Sequence, residues 1–515
     1  MKKKRFLILL LVVAMTVILM IHHAMAEQFT AFGRPLNLFG YATQGGSFGL
    51  KNTYDTENGL NSALMNLFVE GDYTPLNNLK FYAAGMLTVD WAYQLNANRD
   101  SWNDRLFPKS RGHLNVDDKY WQLLKEAHVT WTPGDFMFRI GKQIVAWGET
   151  DGFRLMDQIN PLDQRRGYGD VEFETSLIPV WLLRAEYNLP IKPSWIQNLN
   201  LEFVYNPNAD FIPNQGMMAG NADGGIWAPN VPISLPFPPF KGHLATAYGL
   251  IDTPKRWGEG NEFAFRIKAV VKDAIITLNA FYGRDNDAVT KLVPPFMAAV
   301  PPHIFASDGA LLLHPFQEGK YPLFRFVGAT FSRDITPLKA SFLGGVAPVV
   351  RLETFYGFNN TFTFTNPLNP YDQRFEKSDE FRGAIGVDWK VKIPFLNPRA
   401  YFFISPQFNY RRIIDFPSIE DVTASGGTPV KKNNYQTTLM ISTAYFHSKL
   451  TPSIFWLRDI DSKSDMFRLQ LIYDYSNKWH FTLGTLLLSG DKKGQGFQLF
   501  DNKDYIYFKI SYKWG

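Results

Sequence analysis

The chain has 515 residues, of which 16% are aromatic and 20% are charged, and none is a cysteine. Low charge with many aromatic residues excludes intrinsic disorder. A mean hydropathy of −0.18, with 32 proline and 39 glycine residues, excludes a polytopic helical membrane protein. The absence of cysteine excludes thiolate zinc sites, c-type haem attachment and a disulfide framework.

Residues 1–26 are predicted to be a cleaved signal peptide. Residues 2–5 are basic, residues 6–21 are mostly apolar, and Ala24-Met25-Ala26 fits the cleavage rule of small residues. The alternative is a retained membrane anchor, because the apolar stretch is long. The segment holds four of the 53 basic residues and no acidic one, so cleavage lowers the net charge from +5 to +1. That charge, without any basic run among aromatic residues, argues against a nucleic-acid partner.

The mature chain shows apolar and polar residues in alternation. In residues 263–271, Phe263 and Phe265 lie on one face of an extended chain, and Arg266 and Lys268 lie on the other. The same period occurs in residues 199–205, 381–391 and 467–475. Each such segment is predicted to be a strand with one apolar and one polar side. A soluble β-sandwich would show the same alternation, so other features must decide.

The connections between these strands alternate in length. Short turns are predicted near residues 75–79, 133–135, 272–274, 334–338, 395–398 and 476–478. Long loops are predicted near residues 96–118, 149–177, 210–260, 287–319, 358–379 and 413–433. Short turns at one rim and long loops at the other are typical of bacterial outer-membrane barrels.

Aromatic residues support the same interpretation. They occur beside the predicted short turns, at Trp131, Trp389, Tyr475 and Trp479, where an interfacial girdle would lie. Residues 508–514 form an alternating strand that ends on an aromatic residue and is followed by Gly515, which resembles the signal read by the outer-membrane assembly machinery. Residues 27–515 are therefore predicted to form one all-β domain, a transmembrane antiparallel β-barrel of about 18 strands. It would lie in outer-membrane lipid, with long extracellular loops and short periplasmic turns.

The polar faces of the strands would then line the lumen. The charged candidates on these faces are Arg139, Arg184, Arg266, Lys268, Arg382, Asp388, Arg468 and Asp474. Loop 149–177 is the best candidate to enter the lumen, with the charged residues Arg154, Asp157, Asp163, Arg165 and Arg166. These charges either pair across the wall and keep the lumen wet, or form a field that selects solutes.

Two loops contain many apolar residues, which would form an exposed patch if they lay freely in water. The candidates in residues 211–244 are Phe211, Trp227, Phe237 and Phe240, and those in residues 291–316 are Phe296 and Phe305. The loops either pack on each other as a lid or fold inward. A concave apolar surface of this kind would capture a hydrophobic solute.

Strands at residues 136–148 and 321–333 alternate less cleanly. Lys142 lies on the predicted side of Phe138 and Ile140. A β-bulge and an interfacial position are the two explanations for this lysine.

Residues 139–149 and Ile159-Asn160-Pro161-Leu162-Asp163 resemble an uncharacterised bacterial outer-membrane family, a domain of unknown function. Its members show a G-[RK]-Q-x-V-x-W-G-E-like strand followed by I-N-P-L-D, and residues 126–131 also resemble it. Lys142 stands where an arginine is common. The resemblance implies a porin-like barrel, transport, and partnership with an exporter system or a pathway for hydrophobic compounds.

The prediction from sequence is an outer-membrane channel for small solutes, including hydrophobic ones, by passive diffusion or facilitated uptake or export. No cofactor, metal or enzymatic activity is expected. One alternative is a barrel hydrolase that uses Ser47, His128 or His480, where Ser47 lies in a Gly-x-Ser-x-Gly motif without the required helix. Another alternative is a barrel sheath for a periplasmic carrier or cytochrome.

Overall fold

The structure is a computed structural model in which 18 long strands follow one another along the described part of the chain. The residues described are 28–51, 59–97, 112–150, 154–166, 176–190, 193, 195–215, 242–244, 248–255, 257–299, 311–339, 341–366, 368–416, 421–423, 429–492 and 495–514. The strands are β1 Arg34–Gly49, β2 Leu64–Leu76, β3 Leu79–Asp90, β4 Leu124–Trp131, β5 Phe136–Gln143, β6 Val180–Asn188, β7 Ile196–Asn206, β8 Glu262–Val271, β9 Ala274–Arg284, β10 Leu323–Asp334, β11 Val349–Asn366, β12 Asn369–Val391, β13 Phe402–Ile413, β14 Asn433–Ser442, β15 Leu450–Asp459, β16 Ser464–Asp474, β17 Trp479–Gly490 and β18 Tyr505–Trp514.

The strands close into an antiparallel barrel. Each strand pairs with the next, and β18 pairs with β1 from Gly40 opposite Trp514 to Gly49 opposite Tyr505. Closure gives both edges of every strand a hydrogen-bonded neighbour, so the sheet has no free edge. The predicted all-β barrel of about 18 strands is therefore confirmed.

The two faces of the wall follow the sequence alternation. On β8, Phe263 and Phe265 are exposed, whereas Ala264 between them is buried and Arg266, on the face of Ala264, is half-buried. On β16, Leu469 and Leu471 are exposed and Arg468 lies on the opposite face. The exposed apolar face is the outer surface of the barrel, and the polar face lines its interior.

The connections define two rims. At the short-turn rim the links include residues 77–78, 132–135, 272–273 and 475–478, and at the long-loop rim they include residues 91–123, 144–179, 207–261 and 285–322. The loop predicted at residues 358–379 is wrong. There β11 continues to Asn366 and β12 starts at Asn369, because the alternating Thr and Phe residues of 361–365 favour an extended strand.

Shorter elements lie at the ends of the barrel. The strands are Gln28–Ala31, Leu60–Ser62, Gly242–Leu244, Tyr248–Asp252, Val289–Ala298, Leu311–Lys320, Asp421–Thr423 and Pro429–Val430. The helices are α1 Ala92–Leu95, α2 Gly112–Asn115 and α3 Tyr120–Leu123, with 3-10 turns at Thr336–Leu338, Ser341–Leu343 and Gly496–Phe500. Among the described residues, none of the helices has the length and apolar character needed to cross a membrane.

The position of Lys142 explains the irregular pattern of β5. Both pairings of β5 run without a register shift, so the bulge explanation does not hold. Lys142 is fully buried on the face of Ile140 because α3 covers it there. Its ammonium donates to the carbonyl of Trp121 at 3.2 Å and to the carbonyl of Leu124, which satisfies acceptors at the C-terminal end of the helix.

Candidate functional site

The described residues that follow β5 in its connection to β6 run inside the barrel. We call residues 144–150 and 154–166 the inserted segment. Its Trp147 and Met156 are buried in a cluster with apolar residues of the inner wall. The wall residues of this cluster are Val180, Leu182, Val204, Ala264, Phe281, Phe324, Phe326 and Phe355, from β6 to β11. The apolar inner face of these strands therefore binds the segment instead of facing water.

One contact shows how closely the segment approaches the wall. A Cβ atom placed on Gly328 of β10 would lie 2.1 Å from Cε and 2.8 Å from Sδ of Met156. Gly328 therefore leaves the space in which the end of Met156 sits, and the carbonyl oxygen of Thr354 borders the same space at 2.5 Å.

Two charged residues of β11 bind the segment near its N-terminal end, at Glu149. A carboxylate oxygen of Glu353 accepts from the N–H of Glu149, and a guanidinium N–H of Arg351 donates to the carbonyl of Glu149. Arg351 also pairs with Asp388 at 2.8 Å, and Ser405 Oγ donates to that carboxylate at 2.7 Å. Glu353 is the fifth residue of β11, which starts at the short-turn rim, so Glu149 lies deep in the barrel.

Side chains of the segment satisfy its own backbone. The Asp157 carboxylate accepts from the N–H groups of Trp147 and Gly148, the latter at 2.9 Å. Asn160 accepts from the Val145 N–H at 2.7 Å and donates to the carbonyls of Gln143, the last residue of β5, at 3.1 Å and of Ile178, just before β6, at 3.0 Å. The guanidinium of Arg154 donates to the carbonyl of Asn160.

The other end of the segment is tied to β3 and to a second inward loop. Arg165 pairs with Asp163 at 2.7 Å and with Asp117 at 2.6 Å. Arg166 pairs with Asp117 at 3.3 Å and with Asp90, the last residue of β3, at 3.8 Å. Since β3 and β11 are eight strands apart in a ring of 18, the inserted segment crosses the lumen.

The loop that carries Asp117 packs on another sector of the wall. Tyr93 and Leu114 from residues 91–123 are buried together with Leu486 and Leu488 of β17. The cluster also contains Tyr505 and Tyr507 of β18. A guanidinium N–H of Arg166 donates to the carbonyl of Leu114 at 2.9 Å, so the two loops are joined inside the ring.

Burial and pairing shift the acid–base equilibria of these loop groups. Burial alone would raise the pKa of Asp163, but the hydrogen bond and the charge of Arg165 outweigh it and hold that pKa below its usual value. Burial opposes the charge of Arg165, but its hydrogen bond with Asp163 outweighs burial and raises the pKa of the guanidinium. Burial lowers the pKa of Arg154 to about 10.

Most of the predicted lumen charges are paired along the wall. Glu202 binds Arg184 at 2.8 Å and Arg266 at 2.6 Å. Glu380 binds Arg382 at 2.7 Å and Arg411 at 2.9 Å. The guanidinium of Arg266 also lies 5.6 Å from the ring centre of Trp147, so the wall charges contact the segment.

The remaining wall candidates make other contacts. Arg139 Nε donates to Thr130 Oγ1 at 2.9 Å, Arg468 lies 5.6 Å from the ring of Phe455, and Asp474 contacts His480 at 2.5 Å. Lys268 lies on the inner face opposite Thr277 and has no ion pair among the described residues. The structure therefore brings Asp163, Arg165 and Arg166 together, whereas the strand charges are spread around the ring.

The apolar loop candidates are only partly described. Phe211 contacts Tyr321 edge-on at 4.8 Å, and Phe296 packs on Tyr371 at 4.8 Å. The other four, Trp227, Phe237, Phe240 and Phe305, lie outside the described residues. Phe211 and Phe296 have separate partners, so the described loops do not bring them into one capture site.

The hydrolase candidates are far apart on the wall. Ser47 pairs with Tyr507, which pairs with Gly484, whereas His480 pairs with Ser511. Ser47 and His480 therefore differ by four residues in register, about 13 Å along a strand. His128 lies on β4, stacked on Tyr82. These side chains do not form a nucleophile–base pair.

Sequence reasoning missed Arg351, Glu353 and Asp117, which hold the inserted segment. The inward alternation of Arg351 and Glu353 with Leu352 was a usable signal for the first two. Asp117 had no such signal, because it lies in an irregular stretch between α2 and α3.

An 18-stranded antiparallel barrel with a segment across its lumen has a porin-like architecture. The family model described as "Protein of unknown function (DUF1302)" matches residues 62–514, so the chain belongs to this family. This match agrees with the expected uncharacterised outer-membrane family. No match was found among curated proteins.

Solved structures of bacterial outer-membrane proteins resemble the chain over most of its length. Acinetobacter baumannii OccAB3 is 8% identical with a TM-score of 0.45, covering 93% of this chain and 98% of that chain. Pseudomonas aeruginosa OccK8 (OprE) is 11% identical with a TM-score of 0.43, covering 92% and 98%. Salmonella typhi OmpF, solved in complex with daunomycin, is 10% identical with a TM-score of 0.38, covering 94% and 98%.

Proposed function

We propose that the protein is an outer-membrane channel through which small solutes pass by passive diffusion. The inserted segment would form its constriction. The main support for this proposal is that the segment contacts β11 through Glu149 and β3 through Arg166, on nearly opposite sides of the ring. A closed barrel of 18 strands is wide enough for a water-filled lumen, and a segment across it would set the size of the path.

The lining also supports a solute preference. Paired charges at Glu202 and Glu380 give a polar wall, while the aromatic cluster on β9 to β11 lies under Trp147 and Met156. A small displacement of the segment would expose these rings to the lumen. We therefore infer that aromatic or hydrophobic solutes are among those admitted.

Single-channel conductance of the refolded protein in planar bilayers tests this function. The wild-type barrel should give a small ohmic conductance that aromatic solutes reduce in a concentration-dependent manner. A barrel that lacks residues 145–178 should conduct more and lose this block. If neither protein conducts, the channel proposal fails, and the sheath alternative becomes the better interpretation.

A further inference from the structure

A group of basic side chains lies at the long-loop rim beside β9 to β12. They surround a cavity of about 160 Å³ whose lining contains no acidic residue. The polar residues of this lining are Arg284, Lys320, Arg325, Lys377, Asn359 and Thr361. Lys320, Lys377 and Asn359 are exposed, so the cavity opens to the outside.

The register places this group on the outer face of the barrel. Arg325 is opposite Tyr282, and Val327 is opposite Tyr356 in the next pair of strands. Cross-strand partners share a face, and both Tyr282 and Val327 are among the exposed residues of the outer surface. The basic group therefore lies just beyond the last rows of the apolar outer wall, where a bilayer places its head groups.

None of the four cations of this group forms a salt bridge within the described part of the protein. The Nε of Arg325 is buried without a hydrogen-bond partner, and neither Arg325 nor Lys377 has an ion pair among the described residues. Arg284 donates to the carbonyl of Glu259 at 2.7 and 2.9 Å, which leaves its charge unpaired. Lys320 lies 4.9 Å from the ring centre of Phe375.

The nearest acidic residues on β12 are already engaged elsewhere. Glu376, next to Lys377, pairs with Arg374 at 2.7 Å. Asp379, two residues from Lys377, accepts from the Tyr356 hydroxyl and the Asn359 N–H, both at 2.8 Å. A half-buried guanidinium whose Nε has no hydrogen-bond partner in the described structure, beside three further cations, is suited to a doubly charged oxyanion such as phosphate.

We propose that this outward group binds the phosphate of an outer-leaflet glycolipid. The outer face and the neighbouring apolar rows direct the acyl chains along Tyr282 and Val327, while the exposed Asn359 offers its amide to a sugar. The proposal needs the long-loop rim to be outside, and it does not depend on conductance. It is independent of the channel function, and either can fail without the other.

The test compares the Arg325→Gln/Lys377→Gln double variant with Arg333→Gln. Arg333 is a matched control because it is exposed at the opposite end of β10 and an even number of residues from Arg325, so it lies on the same face. Detergent-solubilised proteins are titrated with bisphosphorylated lipid A, dephosphorylated lipid A, phosphatidylglycerol and inorganic phosphate. Bound ligand is counted by native mass spectrometry.

The double variant should bind lipid A about tenfold more weakly than wild type, as expected when two charge-assisted contacts are lost, and Arg333→Gln should bind like wild type. Dephosphorylated lipid A should bind wild type about tenfold more weakly than the phosphorylated form. Equal binding of the two lipid A forms would overturn the proposal, as would unchanged binding by the double variant. Equal binding of phosphatidylglycerol, or displacement by equimolar inorganic phosphate, would overturn the assignment to a glycolipid.

Discussion

Arg351 and Glu353 act together on the backbone of the same residue. They are two residues apart on β11, and both face the lumen. Between them they satisfy both backbone polar groups of Glu149, the deepest point of contact between the inserted segment and β11. A buried peptide group that loses such a partner keeps the full cost of desolvation. These two side chains therefore fix the position of the segment as much as the apolar cluster does.

Arg351→Gln should loosen the segment. Loss of the charged contacts to Glu149 and Asp388 should cost about 1.5–3 kcal/mol, and the single-channel conductance should rise with more current noise. Lys268→Gln is the control, because it removes one positive charge from the inner wall without touching the segment. An equal rise in both variants would mean that lumen charge, and not the segment, sets the current.

Asn160→Ala should loosen the inserted segment where it adjoins β5 and β6. Asn160 is buried and makes three hydrogen bonds with backbone groups of Val145, Gln143 and Ile178. Their loss should destabilise the segment by about 2–4 kcal/mol, which limited proteolysis would detect as new cleavage within residues 144–166. Asn198→Ala, at an exposed position of β7, should leave the cleavage pattern unchanged.

The sequence allowed only part of the site to be predicted at this scale. The charges of Asp163, Arg165 and Arg166 were visible because a short stretch of loop contained all of them. Asp117, the shared partner of Arg165 and Arg166, is 48 residues before Arg165, and only the folded loops bring them together. Local spacing carries no information on such contacts, whereas the alternation that marks lumen-facing residues is local.

The described residues of the inserted segment form no helix and no named strand. The segment is stabilised by apolar contact with the wall, by Asp157 and Asn160 acting on its own backbone, and by ion pairs at its C-terminal end. A loop inside a barrel needs such partners, because buried backbone groups must be hydrogen-bonded. The prediction that the loop at residues 149–177 enters the lumen was based on its charged residues. The apolar residues Val145 and Trp147, which belong to the cluster with Phe355 of β11, precede that predicted loop.

Excision of the segment should leave the barrel intact. Gln143 and Val180 are directly paired across β5 and β6, so residues 145–178 can be replaced by a short glycine-rich turn. The expected product resists denaturation by detergent as wild type does and conducts several-fold more current. A matched replacement of residues 492–502 at the same rim tests whether any loop removal has this effect. Loss of the folded barrel after excision would show that the segment is needed for folding.

Acid should break the contact between Asp163 and Arg165 only below the ordinary range of carboxyl titration. Because the pKa of Asp163 is lower than its usual 3.8, its stabilising effect is complete above that value. The effect disappears as the pH falls through the lower, folded-state pKa. The difference in conductance between wild type and Asp163→Asn should therefore be constant from neutral pH to about pH 4 and disappear below it. Asp163→Asn should conduct more than wild type at neutral pH, and a difference that disappears already near pH 6 would contradict this assignment.

The whole barrel depends on the seam between β1 and β18. Gly40 faces Trp514 there, and a Cβ atom on Gly40 would lie 2.4 Å from the indole ring and 2.4 Å from the carbonyl oxygen of Phe68. The seam thus requires a residue without a side chain at this position.

Gly40→Val should impair closure. The added side chain would meet both Trp514 and the backbone of β2, at a cost of several kcal/mol, about 3 or more, as for severe overpacking. The yield of compact, heat-modifiable barrel on gel electrophoresis should fall strongly. Leu38→Val, an exposed change on the same strand and face, should fold normally. Normal folding of Gly40→Val would show that the seam tolerates a wider spacing.

Sequence patterns were a good guide to the barrel as a whole. Alternation, turn spacing and aromatic positions gave the class and the strand number because strand geometry is a local property. The β11–β12 hairpin was misjudged because its Thr and Phe residues beyond position 358 were assigned to a loop, although they continue the same period. Closure, by contrast, joins Gly40 to Trp514 across most of the chain, and the pairing register at such a distance has no local signature.

The partner of the first barrel strand is made after all the other barrel strands. Until Trp514 has been made, the edge of β1 has nothing of its own chain on that side, so every shorter translation product carries two open borders that can join those of other molecules. More than 470 residues separate Gly40 from Trp514. A cell that makes this protein must therefore keep its unfinished chains from associating with one another during synthesis and transit. Premature termination anywhere before β18 would then yield aggregates instead of a smaller pore.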